Sequence, residues 1–157
     1  MKILIRKATL KDLREIQKLN LLLFKKEHKE YDSSLDCTWT FGKIGTNYYT
    51  TRIKKSNGCS LIAIVDKKVV GYLVGGLSDL QPWRKIKGIA ELENMFVFKE
   101  FRSFGVGSML TREFFKWCKL KKVQIVRVTV SNQNLKAINF YKKNGFGDYD
   151  IVLEKKI

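Results

Sequence analysis

The sequence is poor in the residues that break or cross-link a chain. Its 157 residues include one proline and three cysteines, Cys37, Cys59 and Cys118. The cysteines are odd in number and form no CxxC pair, which argues against both a disulfide framework and a metal site. Tracts rich in serine and glycine are also missing, so no linker is indicated. We therefore expect one domain over residues 1–157, without a metal, in a reducing cytoplasm.

Long hydrophobic runs are missing as well. The opening stretch "MKILIRKATL" has a three-residue apolar run that ends at Arg6, which is too short for the core of a signal peptide. No other stretch approaches the roughly 20 apolar residues that a transmembrane helix needs. We expect no membrane partner.

Acidic residues are scarce relative to basic ones. The chain has 31 Lys and Arg against 15 Asp and Glu, which gives a formal net charge of +16. Such an excess attracts polyanions, whether nucleic acid, an acidic protein surface or a phosphate-rich cofactor. The lysines are spread along the chain instead of forming a polybasic tail. Nucleic acid is thus a possible partner on charge but has no supporting motif, and solubility alone is an equally good reason for the charge.

Hydrophobic periodicity predicts the element order β-α-α-β-β-β-α-β-α-β. Strands are predicted at 3–9, 60–66, 69–78, 89–98, 123–130 and 149–157, and helices from Thr9 to about Lys29, within 48–57, and at 106–120 and 134–144. The unit made by 89–98, 106–120 and 123–130 is a βαβ crossover, which predicts a parallel strand pair. Short turns join the preceding strands, which should be antiparallel. The predicted fold class is a mixed α/β (α+β) sheet with helices on both faces.

The stretch "FRSFGVGSML" (101–110) places Gly105 and Gly107 between a strand and a helix. A helix N-terminus offers unpaired N–H groups and a partial positive charge, which suit a phosphate. The glycines would let an anion approach the main chain without meeting a Cβ. Arg102 can add a charge-assisted contact or tie the loop together. The loop fits neither a Walker motif nor a dinucleotide fingerprint, and a tight turn that needs glycine for its own geometry is the alternative.

A second motif, "VTVSNQNLKAINFYKKNGF", follows about 30 residues later. Together the two motifs resemble the GNAT superfamily of N-acetyltransferases. The family loop Q/R-x-x-G-x-G/A is matched by Arg102, Gly105 and Gly107. The later pattern N-x-x-A-x-x-x-Y-x-x-x-G-F is matched by Asn134, Ala137, Tyr141, Gly145 and Phe146. The predicted strand order is also that of the family, so the resemblance covers essentially the whole chain.

The resemblance implies acetyl-CoA as cosubstrate, bound in the gap between the splayed parallel strands of an acyl-CoA N-acyltransferase fold. The glycine loop would bind the pyrophosphate, and the first splayed strand would bind the pantetheine arm and polarise the thioester carbonyl. In the family an asparagine lies near this arm, although Asn134 could equally serve as a helix cap. The cofactor-binding residues so implied are Met95, Phe96, Val97, Arg102, Ser103, Phe104, Gly105, Val106, Gly107, Ser108 and Asn134.

The resemblance also implies direct attack of a primary amine on the thioester in a ternary complex. Because an ammonium cannot attack, a base must take its proton, either directly or through water. Glu93 is the first candidate, since "LEN" resembles "LED" of the diamine acetyltransferases. Glu91 is the alternative, because strand alternation points both to one face unless a bulge intervenes. Tyr141 matches the family tyrosine that protonates the departing CoA thiolate.

The acceptor cannot be read from the sequence, since fold and cofactor do not determine it. A small amine or polyamine and a protein amine all stay open, and so does a homodimer. Five aromatic residues lie in segments that surround the acceptor in the family, where they either shape its pocket or pack the loops: Trp39, Phe41, Tyr48, Tyr49 and Trp83. The alternative function is a basic module that docks to RNA or ribosomes and binds acyl-CoA without turnover.

Overall fold

The computed structural model describes all residues, 1–157, with five strands and four α-helices. The strands are β1 (Leu4–Lys7), β2 (Gly58–Val65), β3 (Lys68–Ser78), β4 (Ile89–Val97) and β5 (Ile125–Val128). The helices are α1 (Leu13–Glu30), α2 (Lys43–Lys54), α3 (Val106–Leu120) and α4 (Leu135–Lys143). None of these helices combines the length and the apolarity that crossing a membrane requires.

The sheet has the order β1-β2-β3-β4-β5. The first four strands pair antiparallel, and β4 pairs with β5 in parallel. The β2–β3 hairpin turns at Asp66 and Lys67, which both adopt a positive φ, of 47° and 64°. Two central residues with positive φ give the turn whose twist matches the flanking strands. The mixed sheet and its strand directions confirm the predicted fold class.

Helices cover both faces of the sheet. On one face α3 buries Val106, Leu110 and Phe114, which recur every four residues and are at most 1% exposed. On the other face Ile16 of α1 and Tyr49 of α2 are completely buried. The spacing of the α3 residues produces one apolar stripe, which explains why the helix packs flat on the strands.

A buried polar network attaches α1 to the sheet and to the turn that precedes α2. Asn20 Nδ2 donates to the Tyr72 hydroxyl at 3.0 Å, and the Thr40 hydroxyl donates to Asn20 Oδ1 at 2.6 Å. Gln17 Nε2 donates to the Thr40 carbonyl at 2.9 Å. Because each of these side chains is buried and paired, the network holds α1 in one position relative to β3. That position sets one wall of the cavity described below.

The parallel pair separates soon after it forms. Only four residue pairs join β4 and β5, from Ile89 with Ile125 to Leu92 with Val128. The strand predicted at 123–130 is therefore shorter than expected, while β4 continues to Val97 without a partner on that side. The two strands are splayed, which leaves a gap between them.

The last predicted strand, 149–157, is wrong. These residues form no element, and no backbone hydrogen bond involves a residue after Phe146. Ile151, Val152 and Leu153 are 87%, 78% and 89% exposed. Strand propensity reflects how well a side chain fits a paired, half-buried surface, and this segment pairs with no sheet edge.

Candidate functional site

The gap between β4 and β5 forms a cavity of about 430 Å³. Its walls come from α1, the turn at Trp39, α2, β4, the residues after β5, and α4. It is lined by Leu23, Phe24, Glu27, Trp39, Tyr48, Glu91, Glu93, Asn94, Met95, Val128, Thr129, Val130, Asn134, Ala137 and Tyr141. The fold thus brings Glu93, Met95, Asn134 and Tyr141, which the sequence singled out, to one cavity.

The charge of this cavity is opposite to that of the chain. Its charged lining residues are Glu27, Glu91 and Glu93, and no lysine, arginine or histidine lines it. The whole chain carries about twice as many basic as acidic residues. Arg52 compensates the charge of Glu93, so Glu27 and Glu91 supply the uncompensated negative charge that attracts cations to the cavity.

Glu93 is held in a fixed orientation by α2. Its Oε2 accepts hydrogen bonds from the Tyr48 hydroxyl at 2.6 Å and from Arg52 Nε at 2.9 Å, and its Oε1 accepts one from Arg52 Nη2. Both charged side chains are 19% exposed. Burial and the charge of Glu93 raise the pKa of Tyr48, so this phenol stays protonated as a donor. A carboxylate has about four acceptor sites, so one on Oε1 is left for another donor.

A β-bulge explains how α2 reaches two successive residues of β4. Val74 pairs with Asn94 and Gly75 pairs with Leu92, so Glu93 is the additional residue on its strand. Glu93 and Asn94 consequently both point toward α2, where Asn94 Nδ2 donates to the Tyr48 hydroxyl at 3.1 Å. Glu91 lies on the cavity side as well, as strand alternation predicts, and its side chain forms no hydrogen bond or ion pair.

Glu27 is a cavity residue that the sequence reasoning missed. It lies half-buried on α1, and its carboxylate has no hydrogen bond or ion pair within the chain. Burial raises the pKa of Glu27. The signal was available, since Glu27 continues the four-residue spacing of Leu19 and Leu23 on the inward face of α1. An acidic residue in phase with an apolar stripe is unusual and points to a function or a partner.

Tyr141 lies on α4 and is 9% exposed, with its ring edge-on to Phe140 and Phe146. Its hydroxyl forms no hydrogen bond within the chain. Burial, and then the charge of Glu27, raise the pKa of Tyr141. The phenol therefore stays protonated at neutral pH and has a proton to donate at the cavity wall.

The main chain of β4 offers donors to the gap at alternate residues. Phe98 N donates to Val70 O on β3 at 3.0 Å. Because N–H and C=O groups of alternate residues face the same neighbour, the main chain of Phe96 also faces β3. The same alternation turns the N–H groups of Met95 and Val97 toward the open edge. Of the three residues expected to supply donors, Phe96 is thus directed away from the gap.

The two loop glycines are needed for different reasons. Gly105 caps α3 in the left-handed region, with a φ of 79°. A Cβ on Gly107 would lie 3.1 Å from the Phe140 ring, so this glycine allows α3 to approach α4. No side chain caps the N-terminus of α3, and its first turn holds no acidic residue. The N–H groups of this first turn are therefore free to bind an anion.

Arg102 ties the loop together, which is one of the two roles left open by the sequence. Its Nε donates to Val97 O at 2.8 Å, and its guanidinium lies 5.4 Å from the centre of the Phe96 ring. Ser103 has a φ of 68° and, like Phe104 and Ser108, is exposed. Val106 is only 1% exposed, so its side chain belongs to the core and does not contact a ligand.

Asn134 fulfils its local role as a helix cap. Its Oδ1 accepts a hydrogen bond from Ala137 N at 3.1 Å at the start of α4. It also lines the cavity, so capping and contact with a ligand are compatible. Gly145 follows the end of α4 in the left-handed region, with a φ of 91°.

The aromatic residues divide into two groups. Trp39 and Tyr48 line the cavity, with ring centres 5.5 Å apart. Tyr49 is completely buried beside them. Phe41 and Trp83 are 39% and 79% exposed and do not line the cavity. Two of the five aromatic residues therefore fit the expected acceptor wall.

Comparison with known proteins identifies relatives in sequence. A model of the Acetyltransferase (GNAT) family matches residues 13–146. An N-alpha-acetyltransferase of Sulfurisphaera tokodaii is 26% identical over 153 residues, which cover 94% of this chain and 82% of that protein. An uncharacterized N-acetyltransferase of Methanocaldococcus jannaschii is 28% identical over 105 residues. That match covers 67% of this chain and 46% of the relative, so the chain spans less than half of that protein.

Solved structures share the fold at lower identity. The BH1408 protein of Bacillus halodurans, solved as a tetramutant, has a TM-score of 0.85 and 18% identity, and the match covers 98% of this chain and 99% of that one. The acetyltransferase AAC(6')-Iy, in complex with the bisubstrate analogue CoA-S-monomethyl-acetylneamine, has a TM-score of 0.77 and 17% identity. That match covers 100% of this chain and 99% of the other. With the family model matching most of its length, the chain belongs to the GNAT family of acetyltransferases.

Proposed function

We propose that this protein transfers an acetyl group from acetyl-CoA to a primary amine of a small polycationic acceptor, by direct attack in a ternary complex. One observation carries the proposal. The splayed strands of a strongly basic chain enclose a cavity lined by three carboxylates and by a buried, protonated tyrosine. Such a cavity attracts an ammonium-bearing acceptor and offers it both a proton acceptor and a proton donor.

The donor side of the site is the glycine loop and the open edge of β4. The free N–H groups at the start of α3, from Gly105 to Ser108, would bind the pyrophosphate, with Arg102 holding the loop closed. The N–H groups of Met95 and Val97 would hold the pantetheine arm, and one of them would polarise the thioester carbonyl. Bound acetyl-CoA supplies an activated acetyl group in this arrangement. The exposed Ser103 and Phe104 would lie beside the cofactor.

The charge of the cavity supports the proposed acceptor class. A basic protein repels a cationic acceptor unless the binding pocket is acidic, and here the pocket is acidic. We assign Glu27 and Glu91, which have no partner within the chain, to the ammonium groups that do not react. Structures of similar fold include aminoglycoside acetyltransferases, whose name denotes acceptors with several amines. A protein N-terminus is the second candidate, because the relative from Sulfurisphaera tokodaii is an N-alpha-acetyltransferase.

Proton transfer would pass through Glu93 and Tyr141. The free acceptor site on Glu93 Oε1 would take the proton of the attacking amine, directly or through water. The N–C bond then forms as the C–S bond breaks, and the Tyr141 hydroxyl donates its proton to the departing CoA sulfur. The nitrogen also loses a second proton to solvent as the amide forms, since an ammonium gives up two protons in all. Glu93 then passes the proton that it took to solvent, and Tyr141 regains one from solvent. Arg52 and Tyr48 hold the Glu93 carboxylate in place throughout.

The test is an amine panel with free thiol as the readout. The panel contains a monoamine, a linear polyamine, an aminoglycoside and a peptide with a free N-terminus. We expect thiol release to be fastest with one of the polycations and to fall by about 100-fold in Tyr141→Phe and in Glu93→Gln. Matched controls are Tyr149→Phe and Glu113→Gln, which change exposed or partly exposed residues outside the cavity and should retain the turnover.

Two outcomes would contradict the proposal in different ways. If neither substitution lowers turnover, the assignment of Glu93 and Tyr141 is wrong although the transferase remains. If no amine releases thiol while the chain binds RNA in a salt-sensitive manner and retains CoA, the alternative function is correct, a basic module that binds RNA and acyl-CoA without turnover.

A further inference from the structure

A second cavity of about 430 Å³ lies at the opposite edge of the sheet. It is formed by the end of β1, the start of β2, and the C-terminal ends of α2 and α3. It shares no lining residue with the cavity between β4 and β5. Neither the family motifs nor the proposed reaction uses it.

Four lysines surround this cavity and no acidic residue lines it. They are Lys7, Lys54, Lys55 and Lys121. None of their ammonium groups forms an ion pair or a hydrogen bond within the chain. Ammonium groups gathered around one cavity repel each other, and no carboxylate lines the cavity to offset that repulsion.

Capping of the helix ends does not account for these lysines. Lysines near a C-terminus commonly bond the last carbonyl groups of their helix. Here no ammonium group of the four lysines bonds a carbonyl, and the helix-end bonds come from backbone amides, such as Lys55 N to Thr51 O at 2.9 Å and Lys121 N to Trp117 O at 3.0 Å. The four ammonium groups remain available to a ligand.

Ser60 supplies an independent second observation. It lines the same cavity and is 5% exposed. Its Oγ is the one fully buried side-chain polar atom of the chain that has no hydrogen-bond partner. Leaving a buried hydroxyl unpaired is unfavourable, and buried polar groups normally find a partner. The lysine cavity is therefore lined by four unpaired ammonium groups and by one residue whose hydroxyl lacks a partner, a set that suits an anionic ligand.

We propose that this lysine cavity binds a phosphoryl group. Ammonium groups and a hydroxyl are donors that suit the oxygens of a phosphate, and the concave shape suits a compact group. The phosphoryl group could belong to a small phosphorylated molecule or to the backbone of a nucleic acid. Both sources present the same chemistry to the four lysines and to Ser60.

The test measures pyrophosphate binding by calorimetry in a buffer with saturating CoA. The CoA occupies the proposed site at α3, so the remaining binding reports on the lysine cavity. We expect Lys54→Gln/Lys121→Gln to weaken pyrophosphate binding at least 10-fold. The control, Lys25→Gln/Lys155→Gln, lowers the net charge equally at exposed lysines elsewhere and should change the affinity by less than about 2-fold. Comparing the two pairs separates a site from general attraction to a basic protein.

A second variant and a second probe complete the test. Ser60→Ala keeps every charge, and we expect about 3-fold weaker pyrophosphate binding because one donor is lost. If a short single-stranded RNA loses more affinity than pyrophosphate in the lysine variant, the phosphoryl source is a nucleic acid; the reverse indicates a small molecule. Equal pyrophosphate and RNA affinities in the lysine variant and its control would overturn the proposal, as would no binding to the native chain. Thermal unfolding checks that each variant is folded.

Discussion

The cavity between β4 and β5 and the lysine cavity have the same volume and opposite charge. The first has three carboxylates and no basic lining residue, and the second has four lysines and no acidic one. The two cavities also differ in how firmly their charged side chains are held. Glu93 is fixed by three hydrogen bonds from α2, whereas the lysine ammonium groups have no partner in the chain.

This difference shows that the net charge of +16 does not describe the local potential. Charges further apart than about 8–10 Å are largely screened at physiological ionic strength. Each cavity therefore responds mainly to its own lining, and one chain can attract a cation at one sheet edge and an anion at the other. Under the proposed function the acidic cavity requires a fixed carboxylate, because proton transfer depends on orientation, whereas the anion binding proposed for the lysine cavity does not.

The largest effect on turnover is expected from introducing a lysine into the acidic cavity. Glu27→Lys replaces an attraction with a repulsion, so kcat/KM for a polyamine should fall by about 100-fold. A monoamine should lose less, because it has no second ammonium group for Glu27 to bind. The control is Glu30→Lys, which makes the same charge change at an exposed residue one turn further along α1. Equal losses in both variants would show that Glu27 does not bind the acceptor.

A smaller effect is expected from Glu27→Gln, and it concerns pH. Burial raises the pKa of Glu27, so the carboxylate loses its charge at a higher pH than an ordinary glutamate, whose pKa is about 4.3. As the pH falls through this raised pKa, kcat/KM for a polyamine should fall with it. Glu27→Gln should remove this decrease at low pH and lower the maximal kcat/KM for the polyamine by about 10-fold. If kcat/KM of Glu27→Gln still decreases at the same pH, the titration belongs to another group.

Most of the fold could be predicted from the sequence because its elements have strong local signals. Helix α3 begins and ends at the predicted residues, 106 and 120, since a glycine turn precedes it and its apolar stripe is regular. Helix α2 was predicted to begin at 48 but begins at Lys43. Gly45 lies against the Trp39 carbonyl there, where a Cβ would have no room. In the sequence, residues 43–47 resemble a loop because they include a glycine and several polar residues. Only the contact of Gly45 with Trp39 shows why they are helical.

The final strand was predicted wrongly because strand formation depends on a partner. Residues 149–157 have strand-like composition, but whether an edge is available to them is a property of the whole fold. The splay of β4 and β5 was expected from the family resemblance and not from the residues themselves. Local propensity therefore predicted elements well and their pairing less well.

The candidate site was predictable where a motif exists and unpredictable where contacts define it. Glu93 and Tyr141 follow from motifs, and both line one cavity. The hydrogen bond from Arg52 to Glu93 joins residues 41 positions apart, and no local sequence pattern predicts it. The lysine cavity likewise arises from distant segments that only the tertiary structure brings together. Glu27 differs, because its place in the apolar stripe of α1 is visible in the sequence.

The fixed carboxylate of the acidic cavity can be tested through its arginine. Arg52→Lys retains the positive charge but cannot reproduce the two-point contact with Glu93. We expect kcat to fall by about 5-fold, and the free energy of unfolding to fall by about 1–2 kcal/mol because Glu93 is largely buried. Urea unfolding and steady-state thiol release measure both. Arg14→Lys, at an exposed arginine of α1, is the control, and similar changes in the two variants would mean that Arg52 does not position Glu93.

The smallest effect is expected at Ser60, which lines the lysine cavity. The hydroxyl of Ser60 is buried without a partner, whereas that of Thr40 is buried and donates to Asn20 Oδ1 at 2.6 Å. Ser60→Ala removes an unpaired polar group with little change of shape, so the free energy of unfolding should rise by up to about 1 kcal/mol or stay unchanged. Thr40→Val leaves Asn20 without its donor and should lower the free energy of unfolding by about 1–3 kcal/mol. Urea denaturation of both variants in phosphate-free buffer measures the contrast. A loss in Ser60→Ala as large as that in Thr40→Val would mean that the Ser60 hydroxyl is already satisfied by water, and the lysine cavity would then lose the donor that distinguishes it from a group of surface lysines.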